Sequence, residues 1–141
     1  MKHNQINPSF NFVKEPLEFN KFTNREMLQY CLGATLYMPG TKVFIDKILN
    51  KNLNGLTSMV MCFEDSIREE DLATAEENVL SHLTKVFTAL KQEEINQNEI
   101  PLIFIRARNP KQFKCFLKKL SIEQISVLSG FIFPKFSSDN G

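Results

Sequence analysis

The stretch Met59-Val-Met-Cys-Phe-Glu-Asp-Ser66 decides the fold. An uncharged, mostly apolar run stops at two adjacent carboxylates, Glu64 and Asp65, and a helix-spaced pattern follows at once. A short apolar run bounded in this way predicts a buried strand. Carboxylates at the end of such a strand need water, a cation or a substrate, because an uncompensated buried charge is costly. That makes the strand end a candidate for chemistry.

The same layout recurs on both sides of it. Upstream, residues 32–38 predict a first strand closed by Pro39-Gly40-Thr41. Thr41 can cap the next helix, whose Val43, Phe44, Ile48 and Leu49 fit one face and which Asn54-Gly55 stops. The second strand covers about 57–63. Ser66-Ile-Arg-Glu69 reads as a capping box for a helix carrying Leu72, Ala75, Val79, Leu83, Val86, Phe87 and Leu90, spaced three or four apart. After a polar loop, residues 102–105 form the third strand and run into Arg106-Ala107-Arg108. Asn109-Pro110 opens a helix that buries Phe113, Phe116, Leu117 and Leu120, and Ser121-Ile-Glu-Gln124 caps a shorter one. Residues 130–133 are the fourth strand, ending at Pro134-Lys135.

Ahead of these elements, residues 1–22 are rich in Asn, Phe and Lys and are broken by Pro8 and Pro16. They predict an extended arm that packs Phe10, Phe12, Phe19 and Phe22 onto the body. Thr23-Asn-Arg-Glu26 predicts a capping box for a short helix through Tyr30. The body is residues 23–136, and 137–141 form a polar, disordered tail. Strands alternating with amphipathic helices imply an α/β fold with a parallel sheet buried on both faces.

Composition narrows the class. A chain of 141 residues is one domain by size, and 43% hydrophobic with 23% charged residues is ordinary for a globular protein. A formal charge of +1 gives no pull toward nucleic acid or an acidic membrane. No apolar run approaches the roughly 20 residues that span a bilayer, so a cytoplasmic protein is expected. Cys31, Cys62 and Cys115 lie far apart and predict reduced, mostly buried thiols. His82 falls in a helical segment, without a ligand partner, and is expected at the surface.

In parallel α/β architectures, ligands bind at the C-terminal ends of the strands. Here these ends carry Glu64-Asp65, Arg106-Ala107-Arg108 and Pro134-Lys135. Arg106 and Arg108 share one strand face by the two-residue period, and either could grip a substrate carboxylate with a bidentate fork. Structural salt bridges at the sheet rim would use the same residues. Lys111, Lys114, Lys118 and Lys119 could bind phosphate, but a solvated helix face is the favoured reading of them. Neither GxGxxG nor GxxxxGK[ST] occurs, so a dinucleotide or P-loop site has no support. From the residues alone, the chain is a carboxylate-binding α/β protein.

Four segments together resemble the HpcH/HpaI aldolase/citrate lyase family. They are Gly33-Ala-Thr-Leu-Tyr-Met-Pro-Gly40, Cys62-Phe-Glu-Asp-Ser-Ile67, Phe104-Ile-Arg-Ala-Arg108 and Gly130-Phe-Ile-Phe-Pro-Lys135. The Phe-rich arm and the first segment are similar to the citrate-lyase-β-like branch associated with tellurium resistance. The resemblance implies a TIM (β/α)8 barrel that makes or breaks carbon–carbon bonds in a carboxylate or acyl-thioester (acyl-CoA-like) substrate, with Mg2+ or another divalent metal. It places Arg106 on the family's substrate-holding Arg, Glu64 and Asp65 on its Glu-Asp pair and Lys135 on its strand-four Lys. Glu64 and Asp65 are therefore expected to be catalytic, and Arg106 and Lys135, joined by Arg108 from the strand period, to bind substrate. Cys62 stands where many members carry an acid, and the metal ligands are expected on later strands than those seen here. A complete barrel takes roughly 200 residues or more. The expectation is therefore the N-terminal half of such a lyase, silent or nearly so by itself. Two other readings stay open: a non-catalytic half-barrel that pairs through its open sheet edge, as a homo-oligomer or with a complementing C-terminal half, and a flavodoxin-like domain with residues 130–136 at the sheet centre.

Overall fold

The computed structural model describes residues 9, 11–13, 15–53 and 55–135. Strands β1 (Leu36–Pro39), β2 (Ser58–Cys62), β3 (Leu102–Arg106) and β4 (Gly130–Ile132) form one sheet in the order β1-β2-β3-β4. All three pairings are parallel, with Leu36 opposite Met59, Met59 opposite Ile103 and Phe104 opposite Gly130. Helix α1 (Arg25–Leu28) precedes the sheet. Helices α2 (Ile45–Leu49) and α3 (Leu72–Lys91) make the first two crossovers, and α4 (Pro110–Leu117) with α5 (Ile122–Val127) makes the third. This sequential parallel order is that of half a (β/α)8 barrel. Because β4 lies at the sheet edge, the flavodoxin-like alternative with residues 130–136 in the centre is overturned.

Alternation along the strands splits the packing into two layers. Met59, Met61, Phe63, Ile103 and Ile105 face the helices and pack with Ile45, Ala75, Val79, Leu83, Val86 and Phe116. The stripe down α3 follows the spacing read from the sequence. On the other face, Leu102 and Phe104 pack with Phe19, Leu28, Cys31 and Leu32. The N-terminal segment thus covers the near end of the second face. Thr57 and Ser58 anchor it by donating their hydroxyls to the Leu32 carbonyl at 2.7 and 2.6 Å. Of the arm's phenylalanines, Phe19 is buried and Phe12 half-buried, while Phe22 stays 75% exposed under the Lys21 ammonium. Phe10 lies outside the described residues.

Two of the expected helix starts form as read. Asn109 accepts from the Gln112 amide at 2.9 Å with Pro110 opening α4, and Ser121 and Gln124 exchange the two bonds of a capping box. Three do not. Asn24 rather than Thr23 caps α1, and the Thr23 hydroxyl accepts instead from the Asn20 amide. Helix α2 starts at Ile45 without a side-chain cap. The Asn78 amide on α3 satisfies the Gly40 and Lys42 carbonyls, which holds the turn open, and Val43 faces solvent. The Ser66–Glu69 box is replaced by a 3-10 turn over Glu69–Asp71, because the Glu69 carboxylate pairs with Arg108 at 3.2 Å.

Two further residues depart from expectation. His82 is buried rather than exposed: α3 turns it inward against Phe44, ring to ring at 5.1 Å. Cys62 is buried and Cys31 half-buried, but Cys115 is exposed on α4. No helix among the described residues is long and apolar enough to cross a membrane.

Candidate active site

The backbone ladder brings the strand ends level. The Gly40 amide donates to the Cys62 carbonyl at 2.9 Å, Phe63 to Arg106 at 3.0 Å, and Ala107 to Ile132 at 3.0 Å. Pairing therefore continues one residue past β2, and Glu64 emerges beside Arg106. The Arg106 guanidinium spreads across the carboxylate pair, with Nη2 on Glu64 and Nη1 on Asp65. Lys135 joins from the end of β4, its Nζ 3.2 Å from Glu64 Oε1.

Exposure separates this cluster into an inner and an outer part. The side chains of Glu64 and Arg106 are only 14% and 21% exposed, whereas Asp65 and Lys135 are 64% and 86% exposed. The inner pair is held between β2 and β3, and the outer two side chains can move. Glu64 Oε2 is buried against Arg106 Nη2, which compensates its charge. Lys135 holds φ at 50°, a left-handed conformation that costs a residue with a Cβ on the order of 1 kcal/mol or more.

Arg108, read from the sequence as a second substrate-binding cation, turns away from Arg106. Its Nη1 donates to the Ile67 carbonyl at 2.7 Å and to that of Phe63 at 3.4 Å, and its Nη2 pairs with Glu69. Three contacts from one guanidinium tie down the loop that carries Glu64 and Asp65. The two-residue period fails here because β3 ends at Arg106 and the chain turns into α4. The buried Cys62 sulfur accepts from the Glu64 backbone amide at 3.4 Å, which fixes the turn that carries the carboxylate out of β2.

Beside the cluster lies a cavity of about 470 Å³, lined by Glu64, Arg108, Phe113, Lys114, Phe133 and Lys135 among others. The sequence places Phe113 in the core and Phe133 in a strand. Neither reading shows that the two rings meet edge-to-face at 4.7 Å at the mouth of the site. Phe131 and Phe133 share a strand parity, and that period was the one signal available for the encounter.

Arg106 is shared by Glu64 and Asp65, Lys135 supplies the second positive charge, and among the described residues no three His, Cys, Asp or Glu side chains converge as a metal site. These residues do not by themselves fit a divalent ion.

A parallel (β/α) half-barrel with a half-buried carboxylate–guanidinium cluster at its C-terminal strand ends defines a class: TIM-barrel proteins with the strand-end site of an enzyme. Residues 26–141 match the family model of C–C bond lyases of the TIM-barrel fold, and the chain belongs to that family. No curated protein and no solved structure matches the chain.

Proposed function

We propose that the cluster is the carboxylate-gripping side of the site of a carbon–carbon bond lyase of the citrate-lyase-β-like, HpcH/HpaI aldolase type, acting on a carboxylate or acyl-thioester substrate. The observation that carries the proposal is the division of Arg106 between an enclosed partner, Glu64, and a solvated one, Asp65. An ion pair with an exposed partner contributes about 0–1 kcal/mol, so a substrate carboxylate can displace Asp65 while Glu64 keeps the guanidinium aimed. When the bond breaks, its electron pair passes to the substrate carbonyl and leaves an enolate. Arg106 supplies positive charge held in place by Glu64 for that oxyanion, and the mobile Lys135 ammonium can swing in to add to it. Asp65, once displaced, is free to take the proton of a substrate hydroxyl. No step is assigned to a divalent metal, since Glu64 and Asp65 do not fit one alone. The resemblance implies a divalent metal that Glu64 and Asp65 do not hold alone, so the 141-residue chain, taken by itself, is proposed to turn over little substrate.

Calorimetric titration with malonate, a stable dicarboxylate, tests this reading. Arg106→Met should weaken binding about tenfold or more, and Arg106→Lys should recover only part of it because an ammonium cannot offer the fork. Equal affinity in all three proteins contradicts it.

One observation favours a second, non-catalytic reading. Among the described residues, the outer edges of β1 and β4 pair with no strand, and Tyr37 and Phe133 beside them are about half exposed. A module that closes its sheet against another copy or a complementing half would use these edges. Light scattering discriminates, since a monodisperse monomer at high concentration argues against self-pairing.

A further inference from the structure

Resting on the carboxylate-site reading above, we infer that the cavity beside the cluster selects the remainder of the substrate, and that it takes a flat, apolar arm. The ligand class is an arylalkyl carboxylate rather than a small aliphatic acid.

Phe113 on α4 meets Phe131 at 5.1 Å and Phe133 at 4.7 Å, both edge-to-face. Phe131 packs against the main core, but Phe133 stays 47% exposed even with its ring fixed by Phe113. A held, half-exposed ring lining a concave site offers apolar area at little further ordering cost. Pro110 and Pro134 stiffen the walls on either side.

Charge completes the match. Three cations line the cavity, Arg108, Lys114 and Lys135, against one lining carboxylate, Glu64. Arg108 is taken by Glu69 and Lys135 by Glu64, while Lys114 has no ion pair among the described residues. An anionic ligand is therefore favoured over a neutral or cationic one. Glu64 and Lys135 belong to both the cluster and the cavity, so one molecule can rest its carboxylate on the cluster and its arm on Phe113 and Phe133. A volume of about 470 Å³ accommodates a phenyl-bearing acid within the usual range of small-molecule sites.

The test compares malonate with benzylmalonate, which has the same dianionic head and one added phenylmethyl group, by calorimetry on the full chain. Benzylmalonate should bind about tenfold tighter, as expected for covering most of a phenyl ring. Phe133→Ala, at a half-exposed site that should tolerate truncation, should abolish the preference, bringing the ratio of the two affinities to about one. Phe113→Leu, which keeps apolar volume in the wall, should reduce it. Equal binding of the two acids overturns this inference and leaves the carboxylate site standing. A preference untouched by either variant overturns the placement of the ring. Failure of both acids to bind overturns the underlying reading as well.

Discussion

The Arg108 guanidinium donates from Nη1 to the Ile67 carbonyl at 2.7 Å, fastening the segment that follows β3 to the loop that follows β2. Because that loop carries Glu64 and Asp65, the geometry of the carboxylate pair depends on a cation that does not touch it.

Removing this tie should loosen the loop before it loosens the fold. A charged donor on a carbonyl is worth about 1.5–3 kcal/mol. Arg108→Met is expected to raise hydrogen exchange at the amides of Ile67–Asp71 and to lower Tm by several degrees, and Arg108→Lys to restore part of the protection. Unchanged exchange in Arg108→Met would count against the tie.

Gly40 couples the end of β1 to the same place. A Cβ there would meet Phe63 Cε1 at 3.0 Å and the Ala75 Cβ at 3.3 Å, and Phe63 immediately precedes Glu64. Gly40→Ala should cost about 1–3 kcal/mol by overpacking. Denaturant unfolding gives that loss, and the weakening of malonate binding shows whether Glu64 has moved with Phe63.

Glu76 anchors α4 to α3. It is 5% exposed and accepts from Gln112 Nε2 and Lys119 Nζ, each at 2.7 Å. Its hydrogen bond holds the Lys119 ammonium above the usual lysine range, so this contribution is full below pH 10.5 and fades as pH rises through the elevated value. Glu76→Ala leaves the buried Gln112 amide without its acceptor and should destabilise by about 1–3 kcal/mol. Lys119→Met leaves the buried Glu76 carboxylate without its counter-charge, held by Gln112 alone, and should cost at least as much.

His82 makes the fold sensitive to acid. Both ring nitrogens are buried without hydrogen-bond partners among the described residues, against Phe44. Burial, reinforced by Lys85 and opposed by Asp46, lowers its pKa below the ordinary 6.5. As pH falls through 6.5 the unfolded chain takes up a proton that the folded chain refuses, so stability drops until the lower folded value is passed. His82→Phe should remove this loss between about pH 7 and 5 and leave stability at pH 8 equal or higher, since it deletes two unsatisfied polar atoms. Denaturation midpoints across that range check it.

Much of this architecture was legible in the sequence. The apolar runs of β2 and β3, the α3 stripe and the caps at Asn109 and Ser121 are local signals, and each formed where it was read. What failed was chemistry shared with a distant partner. Glu69 could not close its capping box because Arg108 had claimed it, and Thr41 gave way to Asn78 reaching over from α3. At the site, Glu64, Asp65, Arg106 and Lys135 were individually readable as strand-end charges, and the structure brings these four together. The divergence of Arg108 and the meeting of Phe113 with Phe133 follow from how α4 leaves the sheet, which no local pattern encodes.

The most direct measurement of the central proposal is the arginine side-chain Nε–Hε spectrum of the labelled chain during titration with malonate. The Arg106 resonance, assigned by its loss in Arg106→Lys, should shift saturably with the calorimetric affinity, while that of Arg108 moves little. A saturable shift of other arginines with Arg106 unmoved, or no saturable shift at all, would contradict it.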